Sequence, residues 1–287
     1  MKTLNPLEPN PRLRYDYDRG SGYENEIRLT EALSALVPTD LLIHPDHRLF
    51  QVVHLITEYA WAGIHHTLCD AVAALDAGDL VETGRLLRRA TELGAVPVSC
   101  LRLLVDFLPQ SSFLKMRELF PDNSTGLDSP GVRGIRKAAH ALWESFESAL
   151  SAHGMRVADL GPAAEPGWRG ETGQALLADV GLALHRFDSR TTEWRQVHLA
   201  MVWQLLGGRP LAEEHAEDRG RPTSMRGRPL SDLERLAVRP LFPKLWLDST
   251  ARYRAFTDAG GTTGEARGAE SAGCPMGGRA RIGVQAA

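Results

Sequence analysis

The chain has 287 residues, 43% hydrophobic and 24% charged, a balance close to the globular average that argues against wholesale disorder, a collagen-like repeat or a disulfide miniprotein. Its 33 Lys and Arg against 36 Asp and Glu leave a formal charge of −3, so no global cationic field draws it to nucleic acid or to an acidic membrane surface. Cys69, Cys100 and Cys274 are odd in number and far apart, which indicates neither a disulfide framework nor a zinc knuckle and fits a reducing cytoplasm.

Residues 1–22, broken by Pro6, Pro9, Pro11, Gly20 and Gly22, read as an extended, poorly ordered lead with Tyr15 and Tyr17 as its anchors and no apolar stretch of the secretory type. From Tyr23 to Leu36 the spacing of Ile27, Leu29, Leu33 and Leu36 predicts one short amphipathic helix, ended by Pro38. The strongest helix begins after Pro45, where Phe50, Val53, Thr57, Trp61, Ile64, Leu68 and Val72 recur every three or four residues. Helical patterns follow over Leu80–Leu93, Val96–Leu108, Ser111–Phe120 and Val132–His153, with residues 121–126 as a loop. After a connector at 154–170 come two further helices, Thr172–Arg186 and Thr192–Leu206.

Gly207–Pro229 is a long polar loop containing Arg219, Arg221, Arg226 and Arg228, and Leu230–Phe256 is helical with breaks at Pro240 and Pro243. The last 31 residues hold eight of the 27 glycines and no aromatic residue, the composition of a disordered tail. No run alternates with period two, and no apolar run reaches the roughly 18 residues of a membrane span. The expected fold class is therefore all-α: a lead at 1–22, one helical domain at 23–256 and a tail at 257–287.

Ten histidines raise the question of metals. The Glu-x-x-His pairs of a di-iron bundle, His-Glu-x-x-His and the glycine signatures of nucleotide binding are all absent. His54 and Glu58, at i and i+4, share a helix face where they could hold a metal; the alternative is a histidine hydrogen-bonded inside a helical core. His65 and His66 point apart and read as structural or exposed. His198 stands mid-helix among apolar neighbours, either as a core histidine satisfied by one hydrogen bond or as a ligand to haem iron.

The segment His44-Pro-Asp-His47-Arg-Leu-Phe50-Gln-Val-Val-His54-Leu-Ile-Thr-Glu58-Tyr-Ala-Trp61 resembles the H-D-E-x-L-F-x-x-x-H-Q-x-x-E-L-W signature of tryptophan 2,3-dioxygenases. Phe113-Leu-Lys-Met-Arg117 is similar to that family's aromatic-x-x-x-Arg element, and Ser124-Thr125-Gly126 to its Ser-Ser-Gly loop. Trp194-Arg-x-x-His198-x-x-x-Val202 resembles its haem-ligating helix, and Tyr23-x-x-x-Ile27 falls where the family has Tyr-x-x-x-Leu. The five elements occur in the family's order across roughly residues 20 to 208.

This resemblance implies a tryptophan/indoleamine dioxygenase type of helical bundle with non-covalent haem b between helices, Fe(II) when active, and O2 as co-substrate. It implies His198 as the axial iron ligand with Trp194 beside it, and His54 on the other side, hydrogen-bonding the indole N–H. Phe50 and Phe113 would wall the ring, Arg117 would pair with the substrate carboxylate, and Ser124, Thr125 and Gly126 would lie over the haem. Tyr23 and Ile27 would close a neighbouring subunit's pocket, which implies a homo-oligomer, dimer or tetramer, with exchanged N-terminal segments.

The family's Gly-Thr-Gly-Gly-Ser loop after the haem histidine has no counterpart here, where Gly207-Gly-Arg-Pro-Leu stands instead. That departure turns the expectation from ring cleavage to N-formylkynurenine toward a substituted tryptophan such as β-methyltryptophan and mono-oxygenation to a 2-oxindole in secondary metabolism. Ring-cleaving dioxygenation, a haem-dependent tyrosine hydroxylase, a non-catalytic haem sensor and a helical regulator without cofactor are the alternatives.

Overall fold

Whether these helices form, and which faces they bury, depends on caps and on close approaches. The computed structural model describes residues 1–121, 126, 129–209, 223 and 229–258, and among them the chain is mostly helical. Met1–Trp246 forms one compact unit; Leu247–Ala287 forms a second, described up to Asp258 as helix. No helix among the described residues is long and apolar enough to cross a membrane.

The lead is more structured than its composition implied. Lys2–Thr3 (β1) pairs antiparallel with Asp16–Tyr17 (β2), and the Asn5 side chain ties the intervening turn by donating to the Leu13 carbonyl and accepting from the Tyr15 amide. Tyr17 is the buried anchor, whereas Tyr15 is exposed.

The single helix expected over 23–36 is two: α1 (Gly22–Glu26) and α2 (Leu29–Ser34), separated at Arg28, whose φ of 52° is left-handed. Ile27 is exposed, so the apolar stripe that suggested continuity has no core to follow. α1 starts at a capping box in which Ser21 and Glu24 satisfy each other's backbone amides.

Helix α3 (His47–Asp76) is the long central element, ending at Gly78, whose φ of 76° suits a residue without Cβ. Asp79 then caps α4 (Leu80–Leu93) by accepting from the Glu82 amide, and α5 (Ala95–Phe107) carries Pro97 in its first turn, where a missing N–H costs nothing. α6 (Gln110–Leu119) is followed by α7 (Pro130–Ala152), which begins with proline at its first position and Ser129 as cap. Short helical turns, including α8 (Leu160–Ala163), lead to α9 (Thr172–Leu206), then α10 (Leu230–Ala237) and α11 (Pro243–Asp258).

α9 is continuous where two helices were expected, at 172–186 and 192–206. The polar run Asp188-Ser189-Arg190-Thr191 looks like a break, but Ser189 and Thr191 bond back to the carbonyls of His185 and Asp188, and the Asp188 carboxylate is engaged elsewhere. No glycine or proline interrupts the backbone there.

α3 packs against α4, α5 and α7, and α9 against α4 and α5. One apolar cluster joins Trp61, Ile64 and Leu68 to Leu142, Phe146, Phe187 and Phe242; the three phenylalanines are fully buried, each contributing about 2–3 kcal/mol. A second cluster joins Val53, Leu101, Leu104, Met116, Val202 and Leu230. Trp194 packs against both. α7 approaches α3 closely at Gly131, where a Cβ would stand 2.4 Å from that of Trp61, and the Glu58 carboxylate accepts the Gly131 amide at 3.2 Å.

Asp188 is buried without solvent and accepts from the Leu241 and Phe242 amides at 2.9 and 3.0 Å and from the Trp246 indole N–H at 3.0 Å. Replacing it with alanine strands those amides and the paired Arg195. Asp188→Ala is expected to lose about 3–5 kcal/mol in urea denaturation, and an unshifted midpoint would remove it from this role. Gly131→Ala is expected to lose about 1–3 kcal/mol by the same measurement, because Trp61 must move to admit the methyl group.

Candidate functional site

Between the two apolar clusters lies a cavity of about 1300 Å3, larger than the roughly 300–1,000 Å3 of an ordinary small-molecule site. α3 contributes Phe50, His54, Glu58 and Trp61, one face of four successive turns; α6 contributes Phe113 and Arg117, and α9 contributes Trp194, Arg195, His198 and Val202. α7 and the 230–244 segment complete the wall.

His54 and His198 retain accessible surface although protein surrounds them, so what they are open to is the cavity. Burial pushes His198 down to about 4, with the neighbouring His54 adding to the fall. Burial also lowers His54, against the Phe50 carbonyl and Glu58, which favour its charged form. Both rings are thus neutral near pH 7.

Their hydrogen bonds differ. Nδ1 of His54 lies 2.6 Å from the Phe50 carbonyl, which can only accept; Nδ1 therefore carries the proton, and Nε2 is left as an acceptor. The His198 ring makes no hydrogen bond among the described residues, leaving a lone pair of the kind that binds a metal. Its plane is held by Trp194, stacked at 5.4 Å and 19°, which Trp61 contacts edge-on at 5.2 Å and 87°. The Trp194 indole N–H is buried with no partner among the described residues.

Aromatic rings form the wall beside His54: Phe50 lies 4.1 Å from its ring, 5.3 Å from Phe120 and 6.4 Å from Phe113. The Arg117 guanidinium donates to the Thr223 carbonyl at 2.9 Å and keeps further N–H groups for a ligand. Gly126 reaches the same cavity, whereas Ser124, Thr125 and the arginines at 219, 221, 226 and 228 lie outside the described residues. Tyr23 and Ile27 are exposed and line no part of this cavity.

His54 and Glu58 do share a face, but Glu58 caps α7, and among the described residues no third histidine, cysteine or carboxylate joins them as a metal ligand. Sequence reasoning missed Phe120, Arg136, Trp143, Arg195, Arg239 and Lys244, all in the lining. Arg195 sits inside the Trp-Arg-x-x-His element and was within reach; the 239–244 segment has no local signal, because the distant Asp188 docks it.

Between about pH 6.5 and 4 the unfolded chain binds a proton at residue 198 that the folded, ligand-free chain refuses, so stability falls as pH drops through that window. The loss from residue 198 is expected to reach about 3 kcal/mol at pH 4, and His198→Phe to remove it, leaving the slope that His54 contributes. Urea titrations at stepped pH test this; an identical acid slope in the variant would count against it.

No protein-family model matches this chain and no curated protein matches it.

Proposed function

We propose that this chain is a haem-dependent oxygenase that transfers oxygen from O2 to the indole ring, at C2 and C3, of tryptophan or a substituted tryptophan such as β-methyltryptophan. The observation that supports this reading is convergence: Phe50 and His54, Phe113 and Arg117, Gly126, and Trp194 with His198 come from four separate segments and line one cavity. The cavity has room for a macrocycle and an amino acid together.

The residues fit haem. His198, held below its usual range by burial, without a hydrogen bond among the described residues and braced by Trp194, would hold the haem iron, and the surrounding wall is largely apolar. When bound, haem supplies the redox-active iron at which O2 is activated.

This chain's own residues do the rest. The Nε2 acceptor of His54 suits an indole N–H, and Phe50, Phe113 and Phe120 give the ring an aromatic face. Arg117 offers the fork that matches an amino-acid carboxylate, fixing the side chain's direction into the cavity. The apolar lining excludes water from the oxidised ring. Exposed Tyr23 and Ile27 suit an oligomer in which each copy covers its neighbour's cavity.

The test is spectroscopic first. Purified chain supplemented with haem is expected to show a Soret band that His198→Ala loses; no band, or an unchanged one in the variant, overturns the reading. Turnover with tryptophan and β-methyltryptophan under O2 and reductant is then read by mass spectrometry, one oxygen atom gained meaning mono-oxygenation and two meaning dioxygenation. Binding of O2 without oxidation of any indole points to a sensor instead. Arg117→Ala is expected to weaken tryptophan binding by about 2 kcal/mol in equilibrium titration.

A further inference from the structure

The charge of the cavity lining is lopsided. Among the described residues Arg117, Arg136, Arg195, Arg239 and Lys244 line it against a single carboxylate, Glu58, which is already committed to the Gly131 amide. Three of the five cations are engaged: Arg117 at the Thr223 carbonyl, Arg195 at Asp188 at 3.5 Å, and Lys244 at Glu147. The side chains of Arg136 and Arg239 have no hydrogen bond or ion pair among the described residues, and both are exposed.

These two belong to one place. Arg195, one helical turn before His198, donates to the Arg239 carbonyl; burial lowers its pKa, Asp188 favours its charged form and the nearby charge of Arg136 opposes it. Arg136 and His140 also line a shallow recess on α7 together with Lys137 and Glu144, and both Arg136 and Arg239 reach solvent as well as the cavity. Arg117, by contrast, stands on α6 beside the Phe50 and Phe113 wall. The lining is thus largely apolar around His54 and His198, with a surplus of cations among the described residues, of which Arg136 and Arg239 are unpaired and exposed. An occupant that relieves the repulsion carries its negative charge at its edge.

We propose that Arg136 and Arg239 hold the carboxylates of the cavity's occupant, the haem propionates, so that the macrocycle enters with its charged edge toward α7 and its iron toward His198. This rests on the haem reading above. Carboxylates there gain charge-assisted hydrogen bonds at little desolvation cost, because both guanidinium groups are exposed, while the macrocycle fills the apolar part.

Titration of the full haem-free chain with haemin and with haemin dimethyl ester, followed by the Soret shift and tryptophan quenching, tests this. The parent is expected to bind haemin about tenfold more tightly than the ester. The double variant Arg136→Ala, Arg239→Ala is expected to lose about that tenfold toward haemin and nothing toward the ester. Arg133→Ala, one helical turn away and outside the lining, removes a nearby charge as the control and is expected to change neither. Equal affinity of the parent for haemin and ester, or an equal loss toward both in the double variant, overturns the assignment while leaving haem binding intact. Failure of the parent to bind either overturns the haem reading and this inference with it.

Discussion

A carboxylate removed from solvent is costly unless its oxygens are filled, and Asp188 fills its own with groups that would otherwise be left bare. The Leu241 and Phe242 amides lie in a stretch with no helical partner for them, between Pro240 and Pro243, and the carboxylate takes both. Through these bonds the 239–246 segment is fastened to α9, Phe242 is set into the larger core, and Arg195 is turned to reach the Arg239 carbonyl. One wall of the cavity therefore exists because a polar side chain sits in the middle of a helix. The proline pair that disrupts the helical pattern and the aspartate that seems out of place within one solve each other's problem.

The cavity itself is a consequence of two cores that do not merge. Trp61 and its neighbours fill the side toward α4 and α7, Val53 and Met116 fill the side toward α5 and α6, and Trp194 bridges the two. Close packing would normally eliminate a void of this size. Here the void is lined by groups whose chemistry differs from that of either core: two neutral imidazoles, an aromatic wall and a surplus of cations. Burial disfavours the charged form of the histidines and so leaves them lone pairs, whereas Arg136 and Arg239, which also line the cavity, keep contact with water.

Much of this was legible in the sequence. The period of Phe50, Val53, Thr57, Trp61, Ile64 and Leu68 gave α3 and its inward face, and the break at Ala77-Gly78-Asp79 falls where the left-handed glycine and the Asp79 cap occur. His54 and His198 reach the same cavity because each lies on the buried stripe of its own helix, one turn from residues that were already marked as core. What misled were stretches whose local chemistry was overridden. Polar 188–191 read as a gap since their tertiary partners, fifty residues on, leave no trace in a local window; Ile27 read as inward although it is exposed.

Spacing along the chain determined that this protein is helical, where most helices begin and end, and which side of each one faces inward, because those properties depend on neighbours within a turn or two. Spacing also put Phe50 with His54 and Trp194 with His198, each pair four residues apart on one face. Only the tertiary structure decided that the two faces look at one another, that Nδ1 of His54 is spent on a backbone carbonyl so that Nε2 is the free acceptor, and that Arg136 and Arg239 line the same cavity. Those outcomes depend on burial and on contacts between residues up to a hundred positions apart, and no periodicity in the chain encodes either.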